Sequence, residues 1–394
     1  MSDQAARLLS GEAWRDFCRR LEAAGDGILA DAYPDDPRSR AEGFRALTRL
    51  LVYATQLEIE AGDPLFPSFV RHQDPHNQWG GPNPDNVYLR ANVDPSESYR
   101  VWANDVRGVR QAIFSLHEGD MQLQEYGVYG ECSLDQLETG PDGRFELWLS
   151  PDEGPGNRIR TDPKARIFTI RIYQSDWERG AAPPFFIERV GAEGLPRPAL
   201  SPEAVATGLD RSMRWIEASS AFWNQYTRAA WQRGTPNQAT PPSATPGGAD
   251  NILYGVCLWQ LEEGQALLLE VERPDADYWS FVSHTLTWLE SGDFDQRQTS
   301  LNDEQAFIDP DGRVRVVVCH EDPGVPNWID TEGRRQGMLV YRWVWARDAP
   351  TPTARVLERG ALRVSLPEGH PEIGPDERRR RLARRREAAW SRFR

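Results

Sequence analysis

Cysteine is scarce in this sequence. The 394 residues hold four, Cys18, Cys132, Cys257 and Cys319. No two stand at C-x-x-C spacing, so neither a disulfide framework nor a structural zinc site is encoded, and buried free thiols are expected. No run of about eighteen apolar residues occurs, so no membrane span is expected. The opening MSDQAARLLSGEAWRDF lacks the basic-then-apolar layout of a secretion signal, and a cytoplasmic location is the expectation. Also missing are G-x-S-x-G, G-x-G-x-x-G and G-x-x-x-x-G-K-[ST], the loops of serine hydrolases, dinucleotide binders and nucleotide binders. Histidine is sparse too. None of the six makes H-x-H or H-E-x-x-H, and His72 and His76 are denied a shared helix face by Pro75.

What is present describes a folded protein of two or three domains. Hydrophobic residues make up 39% and charged residues 27% of the chain, ordinary for a globular protein. The net charge is −14, and it is unevenly spread. Residues 371–394 carry nine arginines against Glu372, Asp376, Glu377 and Glu387, so the rest of the chain is more acidic still and repels nucleic acid. The tail DERRRRLARRREAAWSRFR reads as a helix whose arginines face the acidic body or, alternatively, a sister subunit in a homo-oligomer.

Periodicity divides the chain. Trp14, Phe17, Leu21, Ile28 and Leu29 recur at helical spacing after a cap at Ser10, and a second helix is expected over residues 39–60. Strands follow at 99–102, 111–118, 144–149 and 166–174, with Gly140-Pro-Asp-Gly143 as a turn. Met213, Trp215, Ile216, Phe222, Trp223 and Tyr226 mark a central helix that packs on the opening pair. TPNQATPPSATPGG is a linker by composition. Beyond it Leu267, Leu269 and Val271, then Val314, Val316 and Val318, alternate with period two, as does the run from Met338 to Trp345. These predict strands of one sheet, with Asp309-Pro-Asp-Gly312 turning a hairpin. The expected class is α+β: two antiparallel β-sandwich-like units, a helical layer built from the N-terminal and central helices, and a basic C-terminal helix. The expected boundaries are 1–75 helical, 76–200 first β unit, 201–235 central helix, 236–250 linker, 251–366 second β unit and 367–394 tail.

The ordered motifs YWS, WLESGD, SLN, DPDG and HEDPGVPNWIDTEG resemble the domain of unknown function family twelve-fourteen, over roughly Ala249 to Val364. GPNPDNVYLRANVDPSESYRV is similar in layout to its N-terminal companion, family twelve-fifty-four. It departs from that pattern in having Pro84-Asp85-Asn86-Val87 where an Asn-Asp-Thr run belongs. The resemblance implies a mostly β protein with helical additions and supplies no activity.

Candidate site residues lie in the loops that carry these motifs and at strand ends. Asp85 or Glu118 is the expected proton acceptor, Tyr88 or His117 the donor, and Arg90 or Arg297 the holder of developing negative charge. His320, like His117, closes a strand and is followed by a carboxylate. Asn83, Asn86, Asn302, Asn327 and Asp330 supply polar lining. Trp79 and Trp328, in loops, are expected to be exposed indoles that stack on a ligand. The geometric expectation is that Asp85, His117 and His320 border one cavity, with Asn83, Tyr88 and Asn327 converging there. The function so indicated is an enzyme of hydrolase or lyase type, acting on a small weakly polar or carbohydrate-like molecule without an organic cofactor. A carbohydrate- or lipid-binding module is the alternative. A metalloenzyme using His117, His284 and His320 is the third reading.

Overall fold

The computed structural model describes residues 1–30, 36–244 and 251–393. The chain folds as two compact units that interleave in sequence. The first holds Met1–Trp79, Asn86–Gln174 and Ala182–Asn224, and the second holds Gly80–Asp85, Ser175–Ala181 and Gln225–Arg394. Two short segments of the expected first β region, 80–85 and 175–181, therefore belong to the second unit.

Among the described residues four α-helices serve the first unit. α1 (Asp3–Leu9) starts at Ser2, whose hydroxyl accepts from the Ala5 amide, and α2 (Glu12–Ile28) starts at Gly11 in the left-handed region. Ser10, read from the sequence as an N-cap, instead closes α1. α3 (Pro37–Thr55) is capped by Asp36, which accepts from the Arg38 and Ser39 amides, with Pro37 occupying the first turn where no N–H is needed. It runs straight into a π turn, Gln56–Glu60. α4 (Pro202–Arg233) packs on the opening helices as expected. Arg20 grips Glu217 through two nitrogens at 2.9 and 2.7 Å, and the Ser212 hydroxyl donates to the Ala54 carbonyl. Phe17 is buried, while Trp14, expected on the same apolar face, is exposed.

Nine strands make the first β layer pair: β1 (Val70–Gln73), β2 (Asn86–Asn92), β3 (Tyr99–Ala103), β4 (Gln111–His117), β5 (Val128–Ser133), β6 (Phe145–Ser150), β7 (Arg158–Arg160), β8 (Ile167–Tyr173) and β9 (Phe185–Arg189). One sheet runs β1-β2-β8-β4-β5 and the other β7-β6-β3-β9. Period two gives the five-stranded sheet two unlike faces. Val87, Ala91, Phe114, Leu116, Phe168, Ile170 and Ile172 are buried on one, where Phe114 stacks on Phe145 of the second sheet at 5.0 Å. The opposite face is polar: Arg90, Thr169, Ser115 and Glu131 form one cross-strand row, and Tyr88 stands opposite Arg171.

The second unit is also a sandwich. Its strands are β10 (Gln238–Ala239), β11 (Ser243–Ala244), β12 (Ile252–Gln260), β13 (Gln265–Glu272), β14 (Ala276–His284), β15 (Ser300–Asn302), β16 (Arg313–Cys319), β17 (Trp328–Asp330), β18 (Gln336–Ala346) and β19 (Thr353–Glu358). They form the sheets β10-β12-β18-β14-β15, with β11 also on β12, and β17-β16-β13-β19. The three alternating runs are thus not neighbours in one sheet. β13 and β16 lie in one, and β18 in the facing one, so Leu267, Leu269, Val314, Val316 and Val318 meet Trp279, Phe281, Leu339, Tyr341 and Trp343 across a shared core. Each such aliphatic chain contributes roughly 1.5–3 kcal/mol on burial. The Asp309–Gly312 turn forms as expected, closed by Gly312 N–H to the Asp309 carbonyl at 2.9 Å, with Gly312 at φ 78°.

The linker is not structureless where it is described. Residues 238–239 and 243–244 are laid down as edge strands on β12, while 245–250 lie outside the described residues. After the short helix α5 (Leu362–Ser365), α6 (Pro375–Arg392) forms the basic tail helix. Its arginines serve its own unit. Arg378 reaches Asp322 and Gln298, Arg385 reaches Ser300 and the Phe294 carbonyl, and Arg392 donates to the Pro84 carbonyl. Among the described residues no helix is long and apolar enough to cross a membrane.

Candidate active site

In the first unit the polar face of the five-stranded sheet is met by α3, its π turn and α4. Arg90 projects from β2 and donates to Asp120 Oδ1 at 2.8 Å; Trp215 of α4 donates its indole N–H to Asp120 Oδ2 at 2.8 Å. Both carboxylate oxygens are therefore occupied. Glu58 sits on the π turn, a local widening of the helix that recurs at functional sites. The turn is tied to the sheet by Asn92 of β2, which donates to the Leu57 and Ala61 carbonyls. Gly208 lets α4 approach it, because a Cβ there would stand 2.8 Å from the Glu58 carbonyl oxygen.

The electrostatics push the two carboxyl groups apart. Burial works against Asp120's charge, but Arg90 and the two donated hydrogen bonds outweigh it and hold its pKa below the usual value. Burial raises that of Glu58, which Arg90 only partly offsets. Arg90 is itself buried, and Asp120 keeps it firmly protonated. Two imidazoles share this environment. Burial, helped by the positive charge of Arg90, lowers His72 to about 3; burial and Arg171 lower His117 to about 4. Both are neutral at pH 7. His117 Nε2 lies 3.1 Å from Thr169 Oγ1, whereas His72 Nδ1 is buried with no hydrogen-bond partner. Aromatic rings enclose His72: Tyr88 at 5.0 Å, Trp79 at 5.6 Å and Tyr53 at 6.2 Å between centroids, with Trp215 packed on Tyr53 and Trp79. The chain's one lysine, Lys164, is exposed, so the cations here are guanidinium groups and the proton carriers are carboxyl, imidazole and phenol.

Of the residues singled out from sequence, Tyr88, Arg90, His117, Trp79 and Asn86 gather in this unit, Asn86 donating to the Tyr88 hydroxyl at 3.3 Å. Trp79 is not an exposed indole. It is buried and its N–H donates to the His72 carbonyl. Glu118, the residue after β4, accepts from the Gly127 amide. Glu58, His72, Asp120 and Trp215 were missed. The signal for His72 was its place in Val70-Arg71-His72-Gln73, a short apolar-polar run that the surrounding prolines obscured.

The second unit holds the rest. Asp85 has no exposed surface, and donors occupy both its oxygens: Tyr278 hydroxyl at 2.6 Å, Trp177 N–H at 2.7 Å and Asn302 amide at 2.7 Å. Asn83 donates to Tyr278. Asp85 is thus a pin for its unit, with no lone pair presented to a substrate, and the expected proton acceptor is corrected. His320 is held by Thr331 and the Leu261 carbonyl, Asn327 clasps both backbone groups of Phe307, and Arg297 pairs with Asp330 at 2.8 Å. Trp328, expected in the open, is buried, its N–H on the Cys319 carbonyl. Of the three residues expected to border one cavity, His117 belongs to the first unit and Asp85 and His320 to the second, where the partners of Asp85 and His320 are different sets. Of the three histidines read as possible ligands, His284 also lies in the second unit with His320, apart in the chain division from His117. Among the described residues no three His, Cys, Asp or Glu side chains form a metal-holding group.

No family model matches the chain, and no curated protein matches it. Among solved structures, an uncharacterized protein from Burkholderia cenocepacia is 33% identical over 91% of this chain and 100% of its own, with a TM-score of 0.83. A protein from Vibrio parahaemolyticus aligns over 87% of this chain and 99% of its own at 12% identity and a TM-score of 0.47.

Proposed function

This chain belongs to the family of the Burkholderia cenocepacia protein, and on that premise we propose that its first unit is an acid/base site of hydrolase or lyase type. Its substrate is a small, weakly polar or carbohydrate-like molecule. The observation that carries this reading is the pair of carboxyl groups that feel the charge of Arg90, one of them in contact with it. Asp120 has both oxygens occupied and a lowered pKa, while Glu58, on a π turn, has a raised one. Paired titratable groups driven apart by their surroundings divide acid from base. Glu58 is the proton carrier, Asp120 the fixed counter-charge, and Arg90 the holder of developing negative charge. His72, neutral and with a spare nitrogen, is a hydrogen-bonding group toward substrate and not a strong base. Tyr88 and the Trp79–Trp215 pair form apolar walls.

Carbon-detected NMR titration tests this without a known substrate. The Glu58 carboxyl should titrate above the ordinary range of about 4.3, and Glu58→Gln should remove that resonance while keeping the fold. An ordinary Glu58 titration sinks the assignment. A panel of nitrophenyl esters and glycosides then reads turnover, which Glu58→Gln should lower by about a hundredfold or more. The second reading is a binding module without catalysis, favoured by the aromatic rings around His72; it keeps ligand binding in Glu58→Gln undiminished.

A further inference from the structure

The second unit contains a cleft of about 470 Å³ whose two walls carry opposite charge. One wall is α6, contributing Arg381, Arg384 and Arg385. The other is the turn with Asp176 and Glu178 together with Glu304 and Gln305, just past β15. Trp177 lies between them, and it is held before any ligand arrives. Its N–H donates to Asp85, and the guanidinium carbons of Arg385 and Arg392 stand 4.3 and 4.6 Å from its ring centroid. The Asp85 cluster thus has a use: it steadies the floor of a cleft. Gln305 Oε1 is buried in the lining and accepts no hydrogen bond, which in a folded protein calls for a donor from elsewhere.

We propose that this cleft binds a small zwitterion of the α-amino-acid class, with its ammonium toward Glu178, Glu304 and the Gln305 carbonyl and its carboxylate toward Arg381 and Arg384. The volume suits a small molecule. A purely anionic ligand meets the acidic wall and a purely cationic one meets the guanidinium groups, whereas a dipolar ligand satisfies both. Arg385 is committed to Ser300 and the Phe294 carbonyl. Arg381 and Arg384 contact Glu377 at 3.0 and 3.5 Å in partly exposed pairs. Exchanging such a pair for a ligand carboxylate costs little.

Leucine, leucinamide and N-acetylleucine serve as probes, because the last two each keep one charge only. In titration calorimetry on the full chain, leucine should bind about tenfold or more tighter than either, a factor that weakens as salt is added. Gln305→Leu should weaken leucine and leucinamide and spare N-acetylleucine; Arg384→Ala should weaken leucine and N-acetylleucine and spare leucinamide. Circular dichroism and melting checks keep folding apart from binding, and Arg384 is exposed enough to be replaced safely. Absence of leucine binding, equal binding of all three probes, or binding indifferent to both substitutions overturns the proposal. The site uses no residue of the acid/base site, so each proposal can fail alone.

Discussion

Arg90 and Asp120 form a 2.8 Å ion pair whose side chains are only 5% and 12% exposed. A buried pair of this kind is costly to break from one side, since the survivor keeps its charge without a partner. Asp120→Asn should cost about 3–5 kcal/mol in urea unfolding, and Arg90→Met combined with Asp120→Leu should recover most of that loss. A double variant as unstable as the single one would show that packing and not charge dominates.

Stability should fall in two acid regimes. His72 and His117 stay neutral in the fold until about pH 3 and 4, whereas unfolded histidine takes up a proton near 6.5. Between those limits the unfolded state binds more protons, so stability declines as pH drops below about 6.5, by roughly 3–5 kcal/mol per histidine over the full span at about 1.4 kcal/mol per unit, and is flat above it. The Asp120 contribution has the depressed-carboxylate sign: present above the unfolded value, lost as pH falls through the lowered one. His72→Gln should flatten the first decline in denaturation curves taken from pH 4 to 7; an unchanged slope defeats the neutral-imidazole assignment.

Gly208 holds α4 against the π turn. A Cβ at that position meets backbone, the Glu58 carbonyl oxygen at 2.8 Å, which cannot swing aside as a side-chain end does. Gly208→Ala is expected to cost about 1–3 kcal/mol despite alanine's better helix propensity, and to shift the Glu58 carboxyl titration. A variant more stable than the parent would mean the helix simply moves away.

Val316 has no exposed surface and lies in the core between the two sheets of the second unit. Val316→Asp should cost several kcal/mol, about 3 or more, by burying an unpaired charge. A soluble variant with unchanged melting temperature would contradict the core.

Removal of residues 375–394 strips Arg378 from Asp322 and takes Ala388 and Ala389 away from the apolar cluster they form with Trp177 and Phe294. The melting temperature should drop, and salt at 1 M should reproduce only part of that drop. Exposed pairs are screened at that strength, where the screening length is about 3 Å, but the apolar cluster is not. Fast amide exchange along 375–392 in the intact chain would argue against docking.

The strands and turns were legible because they depend on local rules. Period-two runs at Leu267–Val271 and Val314–Val318, the Asp309–Gly312 turn and the helical spacing of the central aromatic segment all led to the elements observed. Ser10 and Trp14 misled because one capping residue fits two neighbouring helix ends and one amphipathic pattern does not say how wide a stripe is covered.

By itself the sequence determined the class, α+β with two sandwiches, since alternation and turn chemistry act within a few residues of each other. Only the tertiary structure decided which sheet each strand joined, and that segments 80–85 and 175–181 leave their neighbours for the second unit. The same holds for the site. Arg90, Tyr88 and His117 stood out as polar residues on strands, yet Glu58, His72 and Asp120 acquire their character from what buries and charges them, and those groups come from α3, α4 and distant strands. A pKa depends on surroundings that are remote along the chain. For that reason Asp85, conspicuous beside Pro and Gly, proves to be enclosed by Tyr278, Trp177 and Asn302, while Glu58, inconspicuous in a helix, is the carboxyl whose proton affinity is raised.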